Sequence, residues 1–259
     1  MSLKGFSETS FTNDNVTRTV YRKGKGPGVV IMHEIPGITP QVAAFAERVA
    51  DVGLTAVMPL LFGTPGKPIS LPYLASQMFQ ACISKEFNVL AKHQASPITN
   101  WLRSLCRQVY QECGGKGVGA IGMCLTGGFA LSLMVDECVM APVLSQPSVP
   151  FPITASHRAA LGISDEELTQ VKARVAKGCT VLGLRFTGDP MCPKERFETL
   201  RQELGNGFEG IEIDSSPNNS AKIKSTAHSV VTTDLVDKEG HPTYEALHRV
   251  LEMFKQRLI

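Results

Sequence analysis

The stretch GAIGMCLTGG, Gly119 to Gly128, joins an apolar run to a cysteine, and a glycine pair begins three residues after that cysteine. Val118 to Met123 predicts a strand and Gly127 to Val135 a helix, so Cys124 falls where strand turns into helix. Such a turn lifts a side chain above the carboxyl end of the strand, and it needs glycine because the two backbones approach closely. Cysteine is otherwise among the most buried residue types, so the local pattern leaves Cys124 open between a core filler and an exposed nucleophile. The segment Gly117–Val135 also runs 19 residues without a charge, near the length of about 20 that spans a bilayer. Its five glycines, with Thr126 and Ser132, read better as strand, tight turn and helix.

Outward from this turn, apolar bursts alternate with helical patterns, which predicts an α/β chain with a mostly parallel central sheet and helices on both faces. Val16–Tyr21 alternates as a strand and Gly28–Met32 is a short apolar one. Thr39 then caps a helix with Pro40 at its first position; Val42, Phe45, Ala46 and Val49 make its apolar face, and Gly53 ends it. Leu54–Met58 is the next strand, a proline-rich loop spans Pro59–Pro72, and helices are expected near Tyr73–Lys85 and Pro97–Glu112. Past the central turn come a strand at Cys138–Val143 and a loop with Pro142, Pro147, Pro150 and Pro152. A helix capped by Ser164 with Glu167 follows, then strands at Thr180–Phe186 and Phe208–Ile213 around a helix at Pro193–Leu204, and a last helix from about Pro242. No repeat or linker divides residues 1–259, so a single domain is expected.

Composition excludes several classes. The formal net charge is +2, with 26 Lys+Arg against 24 Asp+Glu and no basic block, so nucleic-acid binding has no electrostatic support. Seven cysteines without CxxC pairs argue against a disulfide framework or a structural zinc site, and for a reducing, cytoplasmic setting. The first residues hold no apolar core of signal-peptide length. Gly117–Gly122 matches GxGxxG, but its glycines lie before and within a strand instead of opening a helix, so no dinucleotide cofactor is expected. His33-Glu34 begins like a zinc-protease HExxH, yet position 37 is glycine and the pair ends a strand, so no metal is expected.

Two further positions favour the nucleophile. Asp189, in TGDP, lies just past the strand Thr180–Phe186. Of the six histidines, His228 alone sits on the long loop after the last strand. The chain order nucleophile, acid, histidine is that of the α/β-hydrolase triad: Cys124, Asp189, His228. HEIPGI, at the end of Gly28–Met32, occupies the place of an oxyanion loop, whose N–H pairs with that of the residue after the nucleophile; those donors would be Ile35 and Leu125. Glu34 would lie at the rim of the site.

These residues resemble the dienelactone hydrolases. VVIMHEIPGI, IGMCLTGG, FTGDPMCPKERFETL and AHSVV carry the resemblance, in order, across most of the chain. It implies an α/β-hydrolase fold, Cys124 as nucleophile, His228 as base, Asp189 as its orienting acid, and a Glu34 that helps activate the thiol when substrate arrives. A carboxylate beside the resting thiol would keep it protonated. The sequence departs at Thr126, where the elbow pattern has glycine, and the stretch directly after His228, Ser-Val-Val-Thr, has no arginine to hold a substrate carboxylate. The expected activity is cofactor-free hydrolysis of a small-molecule lactone, ester or thioester. The alternative is a catalytically silent domain that binds a small molecule or partner in the same cleft, and Cys124 in a redox role is a third option. Oligomeric state is not legible.

Overall fold

A computed structural model of the chain describes residues 3–83 and 97–259. Its centre is one eight-stranded sheet: β1 (Ser7–Asn13), β2 (Val16–Gly24), β3 (Gly28–Met32), β4 (Thr55–Pro59), β5 (Val118–Met123), β6 (Val139–Ser145), β7 (Val181–Phe186) and β8 (Phe208–Ile213), in the order β1-β2-β4-β3-β5-β6-β7-β8. β1 and β2 pair antiparallel, as do β2 and β4; every later neighbour is parallel. The helices are α1 (Pro40–Asp51), α2 (Leu71–Ile83), α3 (Pro97–Cys113), α4 (Phe129–Leu133), α5 (Ala155–Ala159), α6 (Asp165–Ala176), α7 (Lys194–Leu204) and α8 (Pro242–Leu258). The expected helix Tyr73–Lys85 is seen as α2; its final residues 84 and 85 lie outside the described ones.

Period-2 alternation divides the core between the two faces of the sheet. Val30 and Met32 of β3, with Val118 and Ala120 of β5, pack beneath α3, α4, α6 and α7. Val29, Ile31, Ile121 and Met123 point the other way, against α1 and α8, where Phe45, Val49, Leu247, Val250 and Phe254 close the second layer. Gly28 lets α3 come close: a Cβ there would sit 2.1 Å from Val109 Cγ1.

Three differences from the sequence reading have physical causes. β1 went unread because SETSFTN is an edge strand with no apolar face; it closes on β2 through Asp14 and Asn15, both at positive φ as a two-residue hairpin turn requires. The strand expected at Cys138–Val143 runs from Val139 to Ser145 and contains Pro142, a residue the sequence alone counts with the following loop. Pro142 sits opposite Ala120 of β5, and the ladder between β6 and β7 begins only at Val143. The helix expected over Gly127–Val135 is confined to Phe129–Leu133, preceded by a 3-10 turn at Cys124–Thr126.

After β6 the chain makes a long irregular excursion, and Arg196 of α7 anchors it. Arg196 is 1% exposed, and its guanidinium donates to the carbonyls of Ala160 (2.8 Å), Pro147 (2.6 Å), Pro150 (2.6 Å) and His157 (2.8 Å). Burial lowers its pKa, and the carbonyl dipoles stand in for a carboxylate. Replacing it by methionine keeps much of the packing and leaves those carbonyls without donors, at about 1–3 kcal/mol each. Arg196→Met should therefore lower the melting temperature by at least ~5 °C; an unchanged Tm by calorimetry would show that the excursion holds itself.

Candidate active site

The carboxyl ends of the parallel strands gather the residues of interest: His33–Ile35 after β3, Cys124–Leu125 after β5, Gln146 after β6 and Asp189 after β7, with His228 on the loop beyond β8. This is where ligands bind in open α/β sheets.

Cys124 has φ 55°, in the left-handed region, directly after an extended Met123. A side chain held there costs about 1–2 kcal/mol. The reversal is tight enough that a Cβ on Gly122 would lie 2.0 Å from the Thr126 carbonyl oxygen, and one on Gly127 2.5 Å from Pro147 Cα. Thr126, the departure from the elbow pattern, is accommodated by turning inward. It is fully buried; its hydroxyl donates to the Met32 carbonyl (2.7 Å) and accepts the Met123 N–H (3.0 Å). The threonine thus ties the β5 turn to the end of β3. The Cys124 carbonyl accepts from Gly127 N (2.9 Å) and Ser148 N (3.0 Å).

Asp189 Oδ2 accepts from His228 Nδ1 at 2.7 Å, and its Oδ1 accepts the Met191 N–H at 2.9 Å. The carboxylate is buried, and a quarter of the His228 side chain is exposed. With Nδ1 committed to Asp189, Nε2 is the ring nitrogen left without that partner, and the Cys124 sulfur is close enough to act on the ring's proton affinity. Burial alone would lower the pKa of His228. The charge of the Cys124 sulfur and the hydrogen bonds to Asp189 and Cys124 outweigh it and push the ring up to about 11.

Glu34 corrects an expectation: it is not at a rim but 2% exposed. Its carboxylate accepts from Ser229 Oγ (2.6 Å), from Gln146 Nε2 (3.2 Å) and from Thr232 Oγ1. Among the described residues the Ile35 N–H has no protein acceptor. His33 is fully buried; its Nε2 accepts the Leu61 N–H (3.0 Å), which leaves Nδ1 to donate to the Glu34 carbonyl (3.1 Å). Burial lowers its pKa to about 4, so His33 is a neutral brace for the loop after β3.

Cys192, near Asp189 in sequence, is fully buried, and burial drives its thiol far above the ordinary range; Cys138 is pushed up to about 12 by burial and by its bond to Asp136. Sequence reasoning passed over Gln146, Ser229, Thr232 and Asp234. Gln146 follows the end of β6 just as Cys124 follows β5, and that shared register was the available signal. Among the described residues no cluster of three or more His, Cys, Asp or Glu side chains could hold a metal ion.

Two outcomes test this geometry. Thr126→Val keeps the shape and deletes the hydroxyl, which should cost about 1–3 kcal/mol in denaturant unfolding, while Thr126→Ser should cost less; equal stability of wild type and the valine variant would refute the tie. For His33, the unfolded ring near 6.5 binds its proton before the folded ring near 4 does. Stability is therefore full above pH 6.5 and declines toward pH 4, by roughly 3 kcal/mol from this residue. His33→Gln should flatten that slope between urea titrations at pH 7 and pH 4.5.

Residues 16–258 match the model of the dienelactone hydrolase family. A Saccharomyces cerevisiae protein described as a provisional carboxymethylenebutenolidase is 26% identical over 200 residues, 74% of this chain and 69% of its own length. Among solved structures, a provisional dienelactone hydrolase from Klebsiella pneumoniae superposes with a TM-score of 0.64 at 18% identity, over 97% of this chain and 98% of its own. A dienelactone hydrolase-like promiscuous phosphotriesterase from metagenomic libraries gives 0.62 at 15%, over 98% of each chain. With the sheet order and the helices on both faces, these matches place the fold as an α/β-hydrolase fold, and the chain belongs to the dienelactone hydrolase family of ester-bond hydrolases.

Proposed function

We propose that the protein hydrolyses small lactones, esters or thioesters through a covalent intermediate on Cys124. The observation that carries this reading is the Asp189–His228 pair, 2.7 Å apart, set against the Cys124 sulfur on a left-handed turn. His228, aligned by Asp189, takes the proton of the Cys124 thiol at Nε2 as the sulfur becomes the attacking thiolate. The thiolate attacks the substrate carbonyl, and the N–H groups of Ile35 and Leu125 receive the charge that moves onto the carbonyl oxygen. As the tetrahedral species collapses, the carbon–oxygen bond breaks and His228 passes its proton from Nε2 to the leaving alkoxide or enolate.

Acylation removes the sulfur's charge, so burial then dominates the ring and favours its neutral form. Neutral His228 takes a proton from water, the hydroxide adds to the thioester, and thiolate leaves to re-form the starting pair. Asp189 keeps Nδ1 protonated and Nε2 aimed at the reacting atoms throughout. Glu34 enters as the carboxylate beside the Ile35 donor. The description of the yeast relative makes a butenolide lactone the first substrate to try. The free thiols, Cys106, Cys113, Cys124, Cys138, Cys179 and Cys192, support a cytoplasmic setting; among the described residues no helix is long and apolar enough to cross a membrane.

The test is a burst of p-nitrophenol from p-nitrophenyl acetate, about one equivalent per chain, as acyl-enzyme kinetics require. Cys124→Ala should abolish turnover, and Asp189→Asn should lower kcat by roughly 10²–10⁴ while the protein stays folded. The raised pKa of His228 also fixes a pH direction. Its proton favours the folded, paired state below pH 6.5, and that contribution fades as pH climbs toward about 11. Iodoacetamide should label Cys124 at pH 7 at least ~10-fold more slowly in His228→Gln than in wild type, because the variant has no base to take the thiol proton. Full turnover by Cys124→Ala would overturn the assignment.

A further inference from the structure

We propose that Ser229, Thr232 and Gln146 are positioning residues that hold the Glu34 carboxylate as a joint, locking the loop that carries His228 onto the loop that presents the Ile35 N–H. The inference rests on the hydrolase reading above and gives a role to three residues outside the triad.

The chemistry begins with a buried carboxylate. Taking an anion out of water is costly unless hydrogen bonds replace its hydration. Glu34 receives three side-chain hydrogen bonds, one to Oε1 and two to Oε2, and they come from two separate elements. Gln146 follows β6, and its own Oε1 accepts from Ser145 Oγ and from Val230 N (3.4 Å). Ser229 and Thr232 belong to the loop after β8. That loop is closed by a second carboxylate: Asp234 Oδ2 accepts the N–H of His228 (2.8 Å) and of Ser229 (2.9 Å).

The neighbours along the chain give the joint its consequence. Ser229 is one residue past His228, and Glu34 is one residue before Ile35. A displacement of the carboxylate therefore moves the base on one side and the oxyanion donor on the other. Two of the three bonds, from Ser229 Oγ and Thr232 Oγ1, run directly between the two loops. A carboxylate that swung to the thiol to activate it would first have to break all three bonds. The two roles predict opposite signs when the donors are removed: a joint loosens and catalysis falls, whereas a swinging carboxylate is released and catalysis is kept or rises.

Ser229→Ala, Thr232→Val, Glu34→Gln and the double variants of Glu34→Gln with each hydroxyl deletion decide between them, with p-nitrophenyl acetate as substrate. The joint requires kcat to fall by about 10–100-fold in each single variant, as expected for a reacting group displaced by an ångström or less, with KM within about twofold. The doubles should lose little more than Glu34→Gln alone, because all act through one contact. Thr232→Ser, which restores the hydroxyl, should recover most of the rate lost in Thr232→Val. Unchanged or faster turnover in Ser229→Ala and Thr232→Val, or fully multiplicative losses in the doubles, would overturn the joint. Iodoacetamide labelling of Cys124 at pH 7 reads the placement of His228 without any turnover, and should slow in the same variants. Retained hydrolysis by Cys124→Ala would sink Cys124 as the nucleophile alone, and labelling would still decide the joint; equal labelling rates in wild type and Ser229→Ala would sink the joint.

Discussion

The left-handed turn at Cys124 is the constraint on which the rest depends. A cysteine at φ 55° has no intrinsic reason to be there, and the strain persists only because its surroundings fix it. Gly122 and Gly127 remove the Cβ atoms that would strike the Thr126 carbonyl and Pro147, and the Thr126 hydroxyl fastens the turn to Met32. Ser148 adds a bond to the Cys124 carbonyl from the segment after β6. β3, β5 and β6 therefore meet at one residue, and the sulfur sits at the top of that junction.

Around it, three carboxylates of one chemical type do three different things because their partners differ. Asp189 meets a ring nitrogen and holds a proton in place. Asp234 meets two backbone N–H groups and closes a loop. Glu34 meets two hydroxyls and an amide, and joins loops almost two hundred residues apart in sequence. The two histidines closest to this chemistry separate in the same way. His33 is enclosed and neutral, whereas His228 gains a proton from the charge of its neighbours. Position, more than residue type, sets the role.

The fold itself leaves the reaction open. A phosphotriesterase superposes on this chain about as well as a dienelactone hydrolase does, so the sheet alone distinguishes neither. What the sheet leaves open falls to the side-chain set at the strand ends.

Much of this was legible without coordinates. The alternation of apolar bursts and helical faces predicted a parallel sheet covered on both sides, because burial on two faces demands continuous apolar strands. The strand–turn–helix at Gly119–Gly128 singled out Cys124, and chain order pointed to Asp189 and His228, since loops that follow parallel strands all emerge at one end of a sheet. The β1 edge escaped because a half-solvated edge strand needs no apolar pattern. Glu34 was placed at a rim because sequence shows that it follows β3 and cannot show what covers it. Its burial, the inward turn of Thr126, and the hydroxyls of Ser229 and Thr232 depend on which loops meet after the sheet is assembled. Periodicity records which face of an element is buried, and only the tertiary structure decides which distant polar atoms share that burial.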